Sequence, residues 1–182
     1  MKKILLLTVI TISLLLITGC GKNKTTPIII NYEKEYKNII NKTNTYLNEK
    51  NESTTFDGNY SKYVFIDLDK DKKIECVIDT GKNYLLLNYE NKSIYGFTVS
   101  YNNFKSLKTN GMYMTTIGAQ DMSVRTSTFS KNVRTETIHA TVLNDEYKIG
   151  EKPSTEEQVI EYFNKFYSKD DVEWINKNWK IN

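Results

Sequence analysis

The stretch that decides the fold is YVFIDLDKDKKIECVID, residues 63–79. Its first part, from Tyr63 to Leu68, is rich in aromatic and β-branched residues, and so is its last part, from Ile74 to Asp79. Two such runs separated by a short polar segment are typical of adjacent strands. The segment between them carries aspartates at alternate positions. Residues 63–79 therefore predict a strand-loop-strand unit with an acidic loop.

Similar strands recur towards the C-terminus, separated by turn residues such as Asn110-Gly111. The further predicted strands run from Tyr84 to Tyr89, Ile94 to Tyr101, Met112 to Ile117, Met122 to Phe129 and Val133 to Leu143. No helical pattern lies between them, and parallel strands would need such crossovers. The pattern therefore predicts one antiparallel β-meander sheet of five or more strands between Tyr63 and Leu143.

Two helices flank the predicted sheet. Apolar residues recur at helical spacing within residues 32–49, which predicts an N-terminal helix. A C-terminal helix over residues 154–168 begins at Ser154, and Glu157 three residues later completes the pattern of a capping box. The predicted fold class is α+β, with both helices packed on one face or end of the meander. Residues 32–182 have the length of one domain.

The first twenty residues have the pattern of an export signal. Lys2 and Lys3 precede a short apolar run, which ends in Ile17-Thr18-Gly19-Cys20. The run is shorter than the roughly 20 residues that span a bilayer, and the small residues before the cysteine suit a peptidase. The segment resembles the lipobox of bacterial lipoproteins, in which a diacylglycerol is attached to the cysteine sulfur and the preceding peptide is removed. The alternative is a membrane-anchor helix with an incidental cysteine.

That resemblance implies a signal peptide at residues 1–19, a lipidated N-terminus and tether at 20–31, and the domain at 32–182. The lipid on Cys20 would anchor the protein to the outer face of the cell membrane. Lysine greatly outnumbers arginine, and asparagine, isoleucine and tyrosine are abundant. Such a composition indicates an AT-rich genome, which suits a low-GC Gram-positive bacterium.

Composition and charge limit the classes of partner. The chain is 39% hydrophobic and 26% charged, which is typical of globular proteins. The formal net charge of +3 falls to about +1 without Lys2 and Lys3, so no nucleic-acid partner is expected. With Cys20 lipidated, Cys76 is alone and no intramolecular disulfide can form. Cys76 alternates with apolar neighbours, which favours a small buried hydrophobe over a nucleophile.

The acidic loop carries the recognisable chemistry. Calcium takes six to eight oxygen ligands at about 2.3–2.6 Å, and alternate residues of a tight loop can direct their carboxylates at one point. An EF-hand is excluded, because Ile78 stands where that motif has its last glutamate and because strands flank the loop. The predicted ligands at loop positions 1, 3, 5, 7 and 9 are Asp67, Asp69, Asp71, Lys73 through its carbonyl, and Glu75.

The loop resembles the strand-loop-strand calcium site of FG-GAP and VCBS repeats, whose pattern is D-x-D-x-D-G-x-x-D/E. Lys72 stands where that pattern has glycine, and a lysine with positive φ costs roughly 1 kcal/mol. Lys70 and Lys73 add further positive charge. The resemblance implies a structural Ca²⁺ site, and the three lysines predict weak binding, with a dissociation constant of about 10⁻⁴–10⁻³ M. The alternative is a charged turn that binds nothing.

A wider resemblance covers much of the mature chain. It extends over Tyr63 to Ile78, Ser93 to Met112, Gly118 to Asp121 and Asp171 to Trp174. These segments are similar to small lipoproteins of low-GC Gram-positive bacteria, which pair an acidic loop with an antiparallel sheet. The resemblance implies no activity, so it assigns no catalytic residue.

Two functions from different classes stay open. The favoured one is a non-enzymatic envelope protein whose sheet surface binds a wall polymer, a peptide or a partner protein. Strand tyrosines could form an aromatic sugar-binding face, although half-buried strand positions explain them equally well; they are Tyr84, Tyr89, Tyr95, Tyr101 and Tyr113.

The alternative function is a carboxylate- or metal-dependent hydrolase acting on wall glycans or peptides. Four acids are available for it, namely Glu52, Asp57, Asp121 and Glu136, but nothing in the sequence pairs them. The single histidine, His139, is predicted to face outward on its strand. The sequence contains no P-loop, no G-x-S-x-G motif and no H-E-x-x-H motif.

Overall fold

The computed structural model describes residues 31–116, 118 and 121–177. The predicted signal peptide, the predicted lipidation site Cys20 and all of the predicted tether except Asn31 lie outside these residues. The same is true of Ile117 and of Trp179 near the C-terminus.

Seven strands form a mixed sheet, called sheet A. They are β1 Thr45–Leu47, β2 Ser53–Thr55, β3 Lys62–Ile66, β4 Glu75–Asp79, β5 Asn83–Glu90, β6 Ser93–Ser100 and β13 Ile175–Asn176. Their order in the sheet is β13-β3-β4-β5-β6-β1-β2. Neighbours pair antiparallel except β1 and β6, which pair in parallel with Leu47 opposite Tyr95.

Six strands form a second, antiparallel sheet, called sheet B. They are β7 Ser106–Leu107, β8 Tyr113–Thr116, β9 Met122–Ser130, β10 Val133–Leu143, β11 Glu146–Ile149 and β12 Lys152–Pro153. Their order is β12-β11-β10-β9-β8-β7. A 3₁₀ turn at Tyr101–Phe104 leads from sheet A into sheet B. A bulge interrupts the pairing of β10 with β9 between Ile138 and Ala140.

Each helix covers a different sheet. Helix α1, Tyr32–Ile40, buries Tyr36 and Ile39 among apolar residues of β4 and β5 in sheet A. Helix α2, Glu156–Tyr167, buries Val159 and Phe166 among apolar residues of β8, β9 and β10 in sheet B. Both helices thereby cover an apolar sheet face that would otherwise meet water.

Alternation along the strands places a core on each side of sheet A. Val64, Val77, Leu86 and Phe97 are paired across β3 to β6 and belong to the core that sheet A shares with sheet B. The alternate residues, such as Cys76 and Leu87, belong to the core under α1. All five residues of β4 are buried for this reason. The layers therefore follow the order α1, sheet A, sheet B, α2.

The predicted fold class is wrong in its architecture. The strands predicted between Tyr63 and Leu143 are all present, with ends shifted by no more than two residues. They do not form one antiparallel meander, because the chain leaves sheet A after β6 and builds a separate sheet. Phe104 in the connecting turn stacks on Tyr113 of β8, with ring centroids 4.2 Å apart. Alternation predicts which face of a strand is apolar, but it does not predict which strands share a sheet.

The predicted N-terminal helix is too long. It ends at Ile40 instead of residue 49, because Lys42 has a φ of 61° and turns the chain out of the helix. Residues 45–47 then form β1, and β2 lies in the segment predicted as a loop. Leu47 had matched the helical spacing, but it packs against the core between the sheets.

The second helix lies within the predicted range, but its cap differs. Thr155, not Ser154, is the N-cap residue. Its hydroxyl accepts the Gln158 N–H at 3.4 Å, and the Gln158 side chain accepts the Thr155 N–H at 3.0 Å. The capping box is therefore Thr155 with Gln158 rather than Ser154 with Glu157.

Candidate functional site

The loop between β3 and β4 brings three carboxylates together. Asp67, Asp69 and Asp71 each direct one oxygen atom to a point where all three lie within 4.8 Å of one another. Oxygen atoms this close are suited to a hard cation. The structure thus contains an aspartate group that can hold a metal ion, at three of the five predicted ligand positions.

Backbone amides of the loop hold these carboxylates in place. The N–H groups of Lys72 and Asp71 donate to Asp67 and Asp69, both at 3.2 Å. The N–H of Lys73 donates to Asp71 at 2.8 Å. Aspartates that accept backbone N–H groups a few residues ahead are typical of tight turns. The loop is therefore folded by its own acidic side chains.

The turn requires two left-handed residues, and both are lysines. Lys70 has a φ of 64° and Lys72 a φ of 73°. Lys72 is the residue that replaces the glycine of the calcium-loop pattern, and its positive φ agrees with the role expected of that position. The loop keeps its shape although a side chain is disfavoured there by roughly 1 kcal/mol.

One oxygen of Asp67 is buried without a partner. Its Oδ1 atom is shielded from solvent and accepts no hydrogen bond from any residue that the structure describes. A buried acceptor left without a donor carries a free-energy cost of about 1–3 kcal/mol. A bound cation would satisfy this atom.

The aspartates differ in their electrostatic surroundings. Burial and the neighbouring Asp71 carboxylate raise the pKa of Asp69. Burial alone would raise the pKa of Asp71 as well, but the ammonium and backbone N–H of Lys73 hold it below its usual value. The Lys73 ammonium forms an ion pair with the Asp71 carboxylate. This lysine therefore acts as an internal counter-ion for the group.

Glu75 lies beside the aspartate group but is not one of its members. It is 1% exposed, and its Oε2 atom accepts the Leu68 N–H at 2.8 Å. Burial raises the pKa of Glu75 to about 8, and the charges of Asp69 and Asp71 contribute to the rise. The carboxyl of Glu75 thus links the first and last parts of the loop.

The loop also touches sheet B. The Phe129 N–H in β9 donates to Asp69 at 3.3 Å, and the Lys70 ammonium donates to the carbonyl of Thr109 at 3.2 Å. Gly111, in the turn between β7 and β8, lies against the backbone of Leu68. The acidic loop is therefore a point where the two sheets meet.

The four candidate acids of a hydrolase are bonded to separate partners. Glu52 accepts from Asn48, Asp57 from Asn59, Asp121 from Asn144, and Glu136 from Tyr113, Arg125 and Arg134. Within the part of the chain that the structure describes, no hydrogen bond joins any two of them. Each acid thus has a local bonding role.

The only two arginines of the chain share one carboxylate, which the sequence did not predict. Arg125 and Arg134 both bind Glu136 on sheet B. Burial would raise the pKa of Glu136, but Arg134 above all holds it below its usual value. The buried Tyr113 hydroxyl donates to Glu136 at 2.8 Å and lies 2.9 Å from Ser127. Pairing of β8, β9 and β10 creates this network, so no local pattern could reveal it.

The strand tyrosines do not form an aromatic sugar-binding face, and Tyr89 packs against the core under α1. Tyr84, Tyr95 and Tyr113 are buried in the core between the sheets, whereas Tyr101 is 41% exposed. His139 is half-buried rather than outward-facing, because it lies at the bulge in β10, where its ring is 2.9 Å from the Thr126 hydroxyl. Cys76 is fully buried, in agreement with its interpretation as a small core residue.

A cleft that the sequence did not predict lies at Tyr46 in β1. It has a volume of about 630 Å³. Its lining includes Tyr46, Phe56, Asp57 and Leu85. Tyr46 lies within the range of the predicted helix, residues 32–49, so the pattern did not place it on a strand.

No family model, curated protein or solved structure matches the chain. Among the described residues, no helix is long and apolar enough to cross a membrane.

Proposed function

We propose that the protein is a lipid-anchored, non-enzymatic binding module of the cell envelope, stabilised by a weakly bound Ca²⁺ in its β3–β4 loop. The observation that carries the metal assignment is the convergence of carboxylate oxygens from Asp67, Asp69 and Asp71. The buried Oδ1 atom of Asp67, which has no hydrogen-bond partner among the described residues, supports it. Calcium fits better than a transition metal, because the group offers oxygen ligands only. In this proposal the Lys73 carbonyl and the Glu75 carboxyl, which gives up its proton when the ion binds, complete the ligand set.

Weak affinity follows from the charges around the loop. The Lys73 ammonium already neutralises Asp71, so a cation must displace it. The positive charges of Lys70 and Lys72 also repel a cation bound in the loop. A dissociation constant of about 10⁻⁴–10⁻³ M, as in extracellular calcium modules, is consistent with such a site.

A structural role for the ion follows from the position of the loop. Asp69 accepts a hydrogen bond from Phe129 of sheet B, and the same loop connects two strands of sheet A. An ion that fixes Asp69 would therefore stabilise both sheets at their contact.

Anchoring at the outer face of the cell membrane is supported by the lipobox-like sequence that ends at Cys20. The remaining partners in this proposal are a wall polymer or an envelope protein, and no nucleic-acid partner is proposed because the net charge is small. A binding role is favoured over hydrolysis because the four candidate acids each serve a local bond. Glycosidases require two facing carboxyls about 5–9.5 Å apart.

The calcium assignment predicts a rise in melting temperature. At ten times the dissociation constant, ligand linkage stabilises the folded chain by about 1.4 kcal/mol, or about 3–5 °C for a domain of this size. Differential scanning fluorimetry in 0–10 mM CaCl₂ measures the shift, with MgCl₂ as the ionic control because Mg²⁺ demands a smaller octahedral site.

Asp69→Ala should abolish the calcium-dependent shift. Asp170→Ala is the matched control, because it removes the same charge from a residue outside the loop and should leave the shift intact. A flat response of the unmodified chain up to about 10 mM, well above the expected dissociation constant, would show that the loop is only a charged turn.

The anchoring assignment predicts that Cys20→Ala releases the protein from the membrane or leaves its precursor unprocessed. A diacylglycerol supplies two acyl chains, and two chains anchor stably where one is marginal. Detergent phase partitioning and intact mass in the native host measure the outcome. Cys76→Ala is the control and should not alter partitioning. A Cys20→Ala variant with unchanged mass and partitioning would refute lipidation.

A further inference from the structure

Helix α1 is too short to cover the outer face of sheet A. Its nine residues extend about 13 Å, whereas the eight residues of β5 or β6 extend about 27 Å. Part of the remaining face borders the cleft of about 630 Å³. Leu85 and Thr98, which lie opposite each other in β5 and β6, line this cleft.

Tyr46 forms one wall of the cleft, and Gly96 holds its ring. A Cβ atom at position 96 would collide with the Tyr46 ring, so the ring lies directly on the β6 backbone. Tyr46 and Thr98 also line a second cleft of about 220 Å³. The ring thus borders both clefts.

The polar residues of the cleft are held in place by their own hydrogen bonds. Asn59 donates to Asp57 through its backbone at 2.8 Å and its side chain at 3.1 Å. The Thr80 hydroxyl donates to the Asn83 carbonyl at 2.8 Å and accepts the Asn83 N–H at 3.0 Å. The cleft is therefore formed before any ligand arrives.

Several polar groups of the cleft are available to a ligand. Among the described residues, the side-chain amide of Asn83 and the hydroxyl of Tyr46 have no hydrogen-bond partner. Asp57 is the acid and Lys82 the base of the lining, so their charges balance. The lining itself therefore carries no net charge, although Lys42 and Lys177 lie beside Gly58, between two lining residues.

We infer that this cleft binds a neutral oligosaccharide. The C–H face of a sugar ring packs on an aromatic ring such as Tyr46, which is apolar on its face and polar at its hydroxyl. Each sugar hydroxyl both donates and accepts, as do the side-chain amides of Asn59 and Asn83. The volume lies within the range of about 300–1,000 Å³ that small-ligand sites occupy. The inference deepens the proposed binding role and rests on it, but it is independent of the calcium loop.

The test is calorimetric titration of the full chain, solubilised in detergent, with chitotriose, cellotriose and maltotriose. At least one trisaccharide should bind, and Tyr46→Ala should weaken that binding by about tenfold. Tyr46→Phe should stay within about threefold of the unmodified chain, because the stacking ring remains. Thr98→Trp should abolish binding, since it fills the cleft from an exposed position without removing a core side chain.

Tyr167→Ala is the matched control. Tyr167 is also exposed, but it lies in α2, the helix that covers sheet B, so its removal should leave affinity unchanged. The inference is overturned if none of the three sugars binds. It is also overturned if the Tyr46→Ala and Thr98→Trp variants bind the sugar as tightly as the unmodified chain does. Mass spectrometry of the titrated sugar separates the sugar site from the non-enzymatic role. A sugar that binds and stays intact supports both proposals. A sugar that binds and is cleaved overturns the non-enzymatic role but supports the site.

Discussion

Lys72 combines two unfavourable features at one position of the acidic loop. Its φ of 73° belongs to the left-handed region, and its charge adds to that of Lys73 beside the same carboxylates. Lys72→Gly should stabilise the calcium-free protein by up to about 1 kcal/mol, since the relief of strain is partly offset by the greater freedom of glycine in the unfolded chain. It should also enlarge the calcium-dependent rise in melting temperature, because one repulsive charge is lost.

Lys92→Gly is the matched control for this residue. Lys92 lies in the turn between β5 and β6 with a φ of 66°, so its replacement relieves similar strain and removes the same charge outside the loop. Fluorimetric melts with and without CaCl₂ compare the variants. If both glycine variants change the calcium response equally, position 72 has no particular influence on the ion.

At the scale of the element, the N-terminus of α2 depends on a reciprocal cap. Thr155→Ala removes the hydroxyl that accepts the Gln158 N–H, so it should lower the free energy of unfolding by about 1 kcal/mol. For a domain of this size the melting temperature should fall by about 2–4 °C. Urea unfolding followed by circular dichroism provides an independent measurement of the free energy.

Ser154→Ala tests the cap that the sequence predicted. The Ser154 hydroxyl donates to the carbonyl of Lys152 at 3.3 Å on the surface, so its removal should lower the free energy of unfolding by no more than about 0.5 kcal/mol. If both variants lower the free energy of unfolding equally, Ser154 contributes to the cap as much as Thr155 does.

At the scale of the whole molecule, the two sheets meet where Gly111 lies against Leu68. A side chain at position 111 would collide with the Leu68 carbonyl, and the φ of 82° already favours glycine. Gly111→Ala should therefore destabilise the protein by about 1 kcal/mol for its backbone and by a further 1–3 kcal/mol for the crowded contact.

Gly81→Ala separates these two contributions. Gly81 has a φ of 80°, but a Cβ there would meet no atom within 4 Å, so only the backbone contribution of roughly 1 kcal/mol remains. Thermal melts of both variants measure the difference. Equal destabilisation would show that the sheets tolerate a side chain at their contact.

The folding of sheet B explains why the architecture was not predictable. Alternation predicts the strands of residues 122–143, and their hairpin joins strands that are adjacent in the sequence. Their separation from sheet A follows a 3₁₀ turn whose Phe104 packs on Tyr113, a contact that alternation does not specify. The parallel pairing of Leu47 with Tyr95 likewise joins residues far apart in the chain.

The sequence alone determined the strands from residue 63 to 143, the second helix and the acidic loop, because each depends on neighbours within a few positions. Asp67, Asp69 and Asp71 converge because one short turn contains all three. Only the tertiary structure decided that the strands form two sheets, that Arg125 and Arg134 share Glu136, and that Gly96 supports Tyr46 beside a cleft. Those features depend on contacts between distant segments, and a periodic pattern specifies which face of a strand is apolar without specifying what covers it.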